Sequence, residues 1–376
     1  MSRYFRSILA VVVSLAALSV AITVVSAATL AGPGSAIVIA NTPADSKDPA
    51  VAYGNGITYA VWIESGWIMY SKNSGPSWTA PISITQGDEP ALTVDHNGMP
   101  QLAFTELLSS IVNVYHTRYV GGVWTAPLRI SNGTDNTSSP DIAVAPDNKL
   151  HIVWSQQQPL TTTKQIEIAE STNGGSSWPS FGPILDAHGS SPKVAVGTDE
   201  VTHVIWQDDT GTPFHINHVQ RLTSAWSIAA VLSDASAPTL SPDLITSGNQ
   251  AHAVWEQSQS IRYTQGADIA FSAPITISAG AAKEPSIAAT ALGAIVAAWK
   301  SEADSSIALR VKDSSGWGSF QSFGANPSGV GHVNLASGPT DYTYAVFTWG
   351  ASGSRDIAFN YLATTSLKVY LPLIMR

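Results

Sequence analysis

Apolar and polar positions along this chain alternate in short runs, and the runs recur as one phrase. From Asp48 onward a strand led by proline returns six times: PAVAY (49–53), PALTV (90–94), PDIAV (140–144), PKVAV (192–196), PDLIT (242–246) and PSIAA (285–289). A polar or glycine turn follows, then a second strand ending in an aromatic. These second strands read YAVW, QLAF, HIVW, HVIW, HAVW, VAAW and YAVF, and close at Trp62, Phe104, Trp154, Trp206, Trp255, Trp299 and Phe347. Alternation of period two predicts strands with one face buried. Successive aromatics stand 42 to 52 residues apart, the span of one four-stranded propeller blade.

A third strand follows in each unit, as in Ile68-Met69-Tyr70, Ile166-Glu167-Ile168 and Ile261-Arg262-Tyr263. Next comes a turn with its own aromatic, at Trp78, Trp124, Trp178, Trp226, Phe271 and Phe320. The fourth strand often opens on Ala-Pro (APISI 80–84, APLRI 126–130, APITI 273–277). Proline is tolerated there because an outermost strand has an unpaired edge. The seventh unit supplies three strands, about 332–336, 342–347 and 356–362, and the segment Ser35 to Asn41 is the candidate fourth. Pairing Ile37 to Ile39 with Ile357 to Asn360 would close the ring and hide the sheet edges. The expected fold is an all-β, seven-bladed propeller of four-stranded antiparallel blades, with six blades as the alternative count.

Two turns share an octet. Ser171 to Trp178 reads STNGGSSW and Ser71 to Trp78 reads SKNSGPSW: Ser, Asn two later, Gly four later, Trp seven later. The Asn side chain can fold onto nearby backbone N–H groups, Gly175 can take a positive φ, and the Trp is a large apolar anchor. The octet resembles the Asp-box of sialidase-type, BNR-repeat β-propellers, with Asn73 and Asn173 where that family usually has Asp. The resemblance implies a folding role for Ser71, Asn73, Gly75, Trp78, Ser171, Asn173, Gly175 and Trp178. It also places the octets on the face opposite the ligand face. The sialidases themselves have six blades, so seven departs from them.

Composition narrows the classes. Charged residues are 12% of the 376, aromatics 9% with 12 Trp, and net charge is −9, which suits a large core and argues against a nucleic-acid partner. Residues 1–27 read as an export signal: Arg3 and Arg6, an apolar run from Ile8 to Val25, then Val25-Ser26-Ala27 for cleavage. An uncleaved anchor is the alternative, because the run is just long enough to span. Cleavage would leave a mature chain without a membrane span, carrying about −11, secreted or at the cell surface. Residues 28–34 read as a linker, 35–366 as one propeller domain, and 367–376 (LKVYLPLIMR ends the chain) as an apolar tail, either a sorting or attachment signal or a segment packed on the last blade. The absence of cysteine rules out disulfides and thiolate metal sites.

In such blades the first strand lines the channel, and the loops joining strands two to three and four to one open on the ligand face. Two positions past each blade aromatic stand Glu64, Glu106, Gln156, Asp208, Gln257, Ser301 and Trp349. Glu64, Glu106, Gln156, Asp208, Gln257 and Trp349 are the candidate ligand contacts; Glu64, Glu106 and Asp208 are the candidate catalytic carboxylates, since a carboxylate pair at the right separation can hydrolyse glycosides. The resemblance to sialidases implies three arginines on a substrate carboxylate, a Tyr–Glu nucleophile and an Asp acid. The RIP-type motif for the first arginine is replaced here by SAIVIANTPAD, and Arg118, Arg129, Arg221, Arg262, Arg310 and Arg355 fall mostly in third and fourth strands. None of that catalytic set transfers onto this sequence. His151, His203 and His252 each precede a blade Trp by three residues and read as structural; Asp135, Asn136 and Asp141 lack an EF-hand spacing. No metal or cofactor is expected. Three functions remain open: a non-catalytic binder of a glycan or extracellular protein, a glycoside hydrolase, and a structural surface module.

Overall fold

The computed structural model describes residues 36–363, apart from positions 76, 159, 160, 162, 180, 223, 224, 235 and 236. The segments read from the sequence as an export signal (1–27), a linker (28–34) and an apolar tail (367–376) lie outside the described residues. Seven small antiparallel sheets follow one another along the chain as blades. Their inner strands are Ser46–Gly54, Asp88–Val94, Thr137–Val144, Ser190–Val196, Thr239–Ser247, Ala282–Ala289 and Val330–Ser337. The seventh blade takes its remaining strands from Tyr342–Trp349, Asp356–Ala363 and the N-terminal Ile37–Ala40. Ile37 pairs with Phe359, Val38 with Ala358 and Ala40 with Ile357. The ring is therefore latched as the sequence pattern predicts, with seven blades rather than six.

The latch has a polar partner. The Arg355 guanidinium reaches Asp45 at 2.9 and 2.7 Å, and the Arg355 N–H also bonds that carboxylate at 2.9 Å. These bonds hold Asp45 well below the usual carboxylate range.

The core sits between blades. The second-strand aromatics Trp62, Phe104, Trp154, Trp206, Trp255, Trp299 and Phe347 are all at most 1% exposed, where a large flat side chain removes most apolar area from water. The turn aromatics lean backwards onto the third strand of the preceding blade. Trp124 meets Tyr70 at 5.4 Å, Trp178 meets His116 at 5.1 Å, Phe271 meets His218 at 4.7 Å, and Trp78 meets Phe359 of the closing blade at 4.9 Å. In the sixth blade this role belongs to Trp317, 4.9 Å from Tyr263. Phe320, the aromatic expected there, instead lies edge-on to Trp299 at 6.4 Å. The tight pair Gly316–Trp317 returns the chain to the third strand sooner than the aromatic spacing suggests.

The sequence phrase opens the inner strand at Pro, but each inner strand begins earlier and carries a bulge at that point. The register shifts fall between Lys47 and Ala50, Asp88 and Ala91, Ser138 and Asp141, Ser190 and Lys193, Leu240 and Asp243, Lys283 and Ser286, and Gly331 and Asn334. Proline has no N–H to give the ladder, so it suits a bulge. The residue before it, or before Val333 in the seventh blade where no proline stands, is left-handed: Asp48, Glu89, Ser139, Ser191, Ser241, Glu284 and His332 have φ between 44° and 54°. This conformation is unfavourable for non-glycine residues, and repeating it seven times turns one side chain per blade toward the axis.

Candidate functional site

The bulges surround a central cavity of about 490 Å³. Each blade contributes the bulge residue and the residue two further on. Around the ring these pairs are Asp48/Ala50, Glu89/Ala91, Ser139/Asp141, Ser191/Lys193, Ser241/Asp243, Glu284/Ser286 and His332/Asn334. One ionisable side chain therefore comes from every blade, at one position or the other. With histidine neutral, the lining carries five carboxylates against one lysine, and no arginine is among its residues.

The charges form two arcs. Blades six, seven, one and two present Glu284, His332, Asp48 and Glu89 at the bulge. His332 lies 3.6 Å from Asp48 and 3.9 Å from Glu284. Glu89 accepts the Ser139 N–H at 2.9 Å and the Thr105 hydroxyl at 3.2 Å. Burial nevertheless raises its carboxyl above the ordinary range, with Asp88 and Asp48 adding to the effect. Blades three to five present serines at the bulge and carry their charges two residues further on. Lys193 lies 3.4 Å from Asp141; burial opposes its charge, yet Asp141 and Asp243 hold the ammonium above its usual range. Burial also pushes the Asp243 carboxyl up against the pull of Lys193 and two donors in the next blade.

The residue two past the bulge also ties blades together. Asp141 accepts the Val194 N–H at 2.9 Å, Asp243 the Ile287 N–H at 2.9 Å, Ser286 the Leu335 N–H at 3.1 Å, and Asn334 the Val51 N–H at 2.9 Å. Each is a side chain of one blade capping an inward backbone donor of the next.

The candidates picked out from the second strands sit elsewhere; none of the six lines the axial cavity. Gln156 and Gln257 are buried and take the indole N–H of their own blade's Trp154 and Trp255, both at 3.3 Å. Gln257 also holds Asp234 and Ala237 of the incoming loop. Asp208 caps Thr210 and accepts from Asn217 at 2.8 Å. Trp349 packs against the core between blades six and seven. Glu64 accepts the Ser46 hydroxyl at 3.4 Å. Glu106 lines a separate groove of about 600 Å³ that shares Glu89 with the axial cavity. The cavity residues had a sequence signal: they flank the recurrent proline, in DPA, EPA, SPD, SPK, SPD and EPS. That position looks like the start of a strand unless the bulge is known.

The other sequence candidates have local partners. The octets are turns between third and fourth strands: Asn73 accepts Gly75 N–H at 3.0 Å, and Asn173 accepts Ser177 N–H at 3.0 Å and the Ser171 hydroxyl at 2.9 Å. Gly175 has φ 77°. His151 pairs with Glu170 at 3.0 Å, His203 with His218 at 3.0 Å and His252 with the Tyr263 hydroxyl at 2.8 Å, all across strands two and three. Asp135 accepts from Asn132 and Thr134, and Asn136 from Val112. Arg118 bonds the Gly174 carbonyl, Arg262 pairs with Asp234, and Arg310 lies over Phe320.

No family model matches this chain, and no curated protein does. Solved structures do. A Dyadobacter fermentans protein of unknown function aligns with TM-score 0.55 and 11% identity over 88% of this chain and 98% of its own. The Penicillium chrysogenum α-L-arabinanase, solved with arabinobiose, aligns with TM-score 0.55 and 12% identity over 74% and 93%. The intramolecular trans-sialidase of Ruminococcus gnavus aligns with TM-score 0.51 and 9% identity over 87% and 96%. At such identities the likeness concerns the fold, which is a sialidase-like β-propeller.

Proposed function

We propose that this protein is an exported, non-catalytic propeller that binds an uncharged glycan at the mouth of its central channel. The observation that carries the reading is the charge of the cavity: five carboxylates, one lysine and no arginine among its lining residues. A carboxylate-bearing sugar such as sialic acid needs guanidinium donors to be held, and this field repels it. A neutral sugar instead finds acceptors in Asp48, Glu89 and Glu284 and hydroxyls in Ser139, Ser191 and Ser241. The likeness to propellers that handle arabinan and sialosides supports a glycan over another ligand class. A neutral-glycan array should give binding without turnover on fluorogenic glycosides; binding confined to sialosides would sink the proposal.

One observation favours a hydrolase instead. Burial raises the Glu89 carboxyl above its ordinary range, with the charges of Asp88 and Asp48 adding to it, as a general-acid carboxylate requires. Turnover of a neutral glycoside, abolished in Glu89→Gln, would establish that alternative.

A further inference from the structure

The capping of inward backbone donors between blades is incomplete, and the gaps lie side by side. The capped residue always sits one past the channel-lining position and pairs with the residue two before the blade aromatic: Val51 with Ala60, Val194 with Val204, Ile287 with Ala297, Leu335 with Ala345. Leu244 holds the same place, paired with Ala253, and its N–H turns to its own Asp243 at 3.0 Å. This is the seam where Lys193, a donor, stands in the capping position. Leu92 pairs with Leu102 and Ile142 with Ile152, so both share the register of the five. The preceding blades offer Ala50 and Ala91, which have no acceptor. Neither N–H has a side-chain partner among the described residues, although inward backbone donors of folded proteins rarely go unpaired.

The geometry points to Leu92 N–H and Ile142 N–H as donors to a bound ligand, with Glu89 beside them as acceptor, so that hydroxyl groups of a neutral oligosaccharide are read over blades one to three. Ala50 and Ala91 line the cavity and bring no capping side chain of their own. Leu92, Ala91 and Glu89 line the same cavity, and Glu89 Oε1 makes no hydrogen bond among the described residues. A sugar hydroxyl both donates and accepts, so an N–H next to a carboxylate oxygen suits it, whereas a carboxylate ligand would meet Glu89 and Asp48 as like charges. This inference rests on the glycan-binding reading and adds where the sugar sits.

The test supplies the missing caps. Ala50→Asn and Ala91→Asn copy the way Asn334 covers Val51, so each variant should fold with unchanged or raised thermal stability while losing neutral-glycan affinity. The probes are arabinobiose and a neutral-oligosaccharide array, read by calorimetry; the expected loss is at least tenfold per variant. Amide exchange gives a second readout: Leu92 and Ile142 should exchange faster than Val51, Val194, Ile287 and Leu335 in the free protein and slow on glycan addition. Binding unaffected in both variants, or slow exchange at Leu92 and Ile142 in the free protein, overturns this assignment and leaves the glycan reading intact. Failure of the wild-type protein to bind any neutral glycan overturns both.

Discussion

Asn334 of the last blade accepts the Val51 N–H of the first at 2.9 Å, so residues 283 positions apart join the ring at its axis while the terminal strand joins it at the rim. Asn334→Ala removes an acceptor from an inward donor and should cost about 1 kcal/mol. The loss should appear as a lower urea midpoint with an unchanged m-value. An equal loss from Ala50→Asn, at a seam without such a cap, would show that the bond itself is not what matters.

The Asp-box-like turn in blade three gives a second prediction. Asn173 Oδ1 is the acceptor for Ser177 N–H and the Ser171 hydroxyl, and Asp offers the same oxygen. Asn173→Asp should therefore leave thermal stability close to the parent, while Asn173→Ala should lower it by about 1 kcal/mol. Trp178→Ala should cost more, about 3 kcal/mol, because the ring packs between blades two and three. Thermal unfolding of the three variants would rank them.

Glu167 should make the protein less stable as pH rises. It is 5% exposed, its Oε2 has no partner among the described residues, and burial pushes its carboxyl up to about 7. The folded state holds the proton more tightly than the unfolded chain, so the contribution is complete below about pH 4.5 and lost as pH rises toward 7. Glu167→Gln should flatten this part of the profile and be the more stable form at pH 8, by up to about 3 kcal/mol. Urea titrations at pH 5 and pH 8 would measure the difference.

Buried histidines act with the opposite sign. Burial holds His116 and His218 down to about 3 and His203 and His252 down to about 4. The unfolded chain takes up protons first, so stability falls as pH drops below about 6.5 and continues falling toward the folded values. By pH 5 each histidine can cost up to about 2 kcal/mol. His218→Phe breaks the bond to His203 and lowers stability at pH 7, but it should also make the acid limb shallower. A slope between pH 6.5 and 5 identical to the parent's would contradict the assignment.

The blades were legible in the chain because each is local: alternation of period two, an aromatic closing the second strand, and turn chemistry all act within about 50 residues. The ring closure was legible too, since the seventh unit lacked a strand and Ser35 to Asn41 was spare. The cavity residues were not. Asp48, Glu89 and Glu284 look like residues ahead of a strand until the bulge turns them inward, and a bulge leaves no mark on hydrophobic periodicity. Glu64, Asp208, Gln156 and Gln257 follow the blade aromatic, where the fold gives the last three of them a loop or an indole to hold.

The amino-acid sequence by itself thus determined the repeating unit, the number of units and the strand that closes them, because those follow from short-range patterning. The tertiary structure alone decided which side chains share the axis and which backbone donors are covered, because a cap comes from the neighbouring blade, 44 to 53 residues away in three cases and 283 at the ring closure. Whether the residue offered there is Asn, Ser or Ala matters only once the two blades stand side by side.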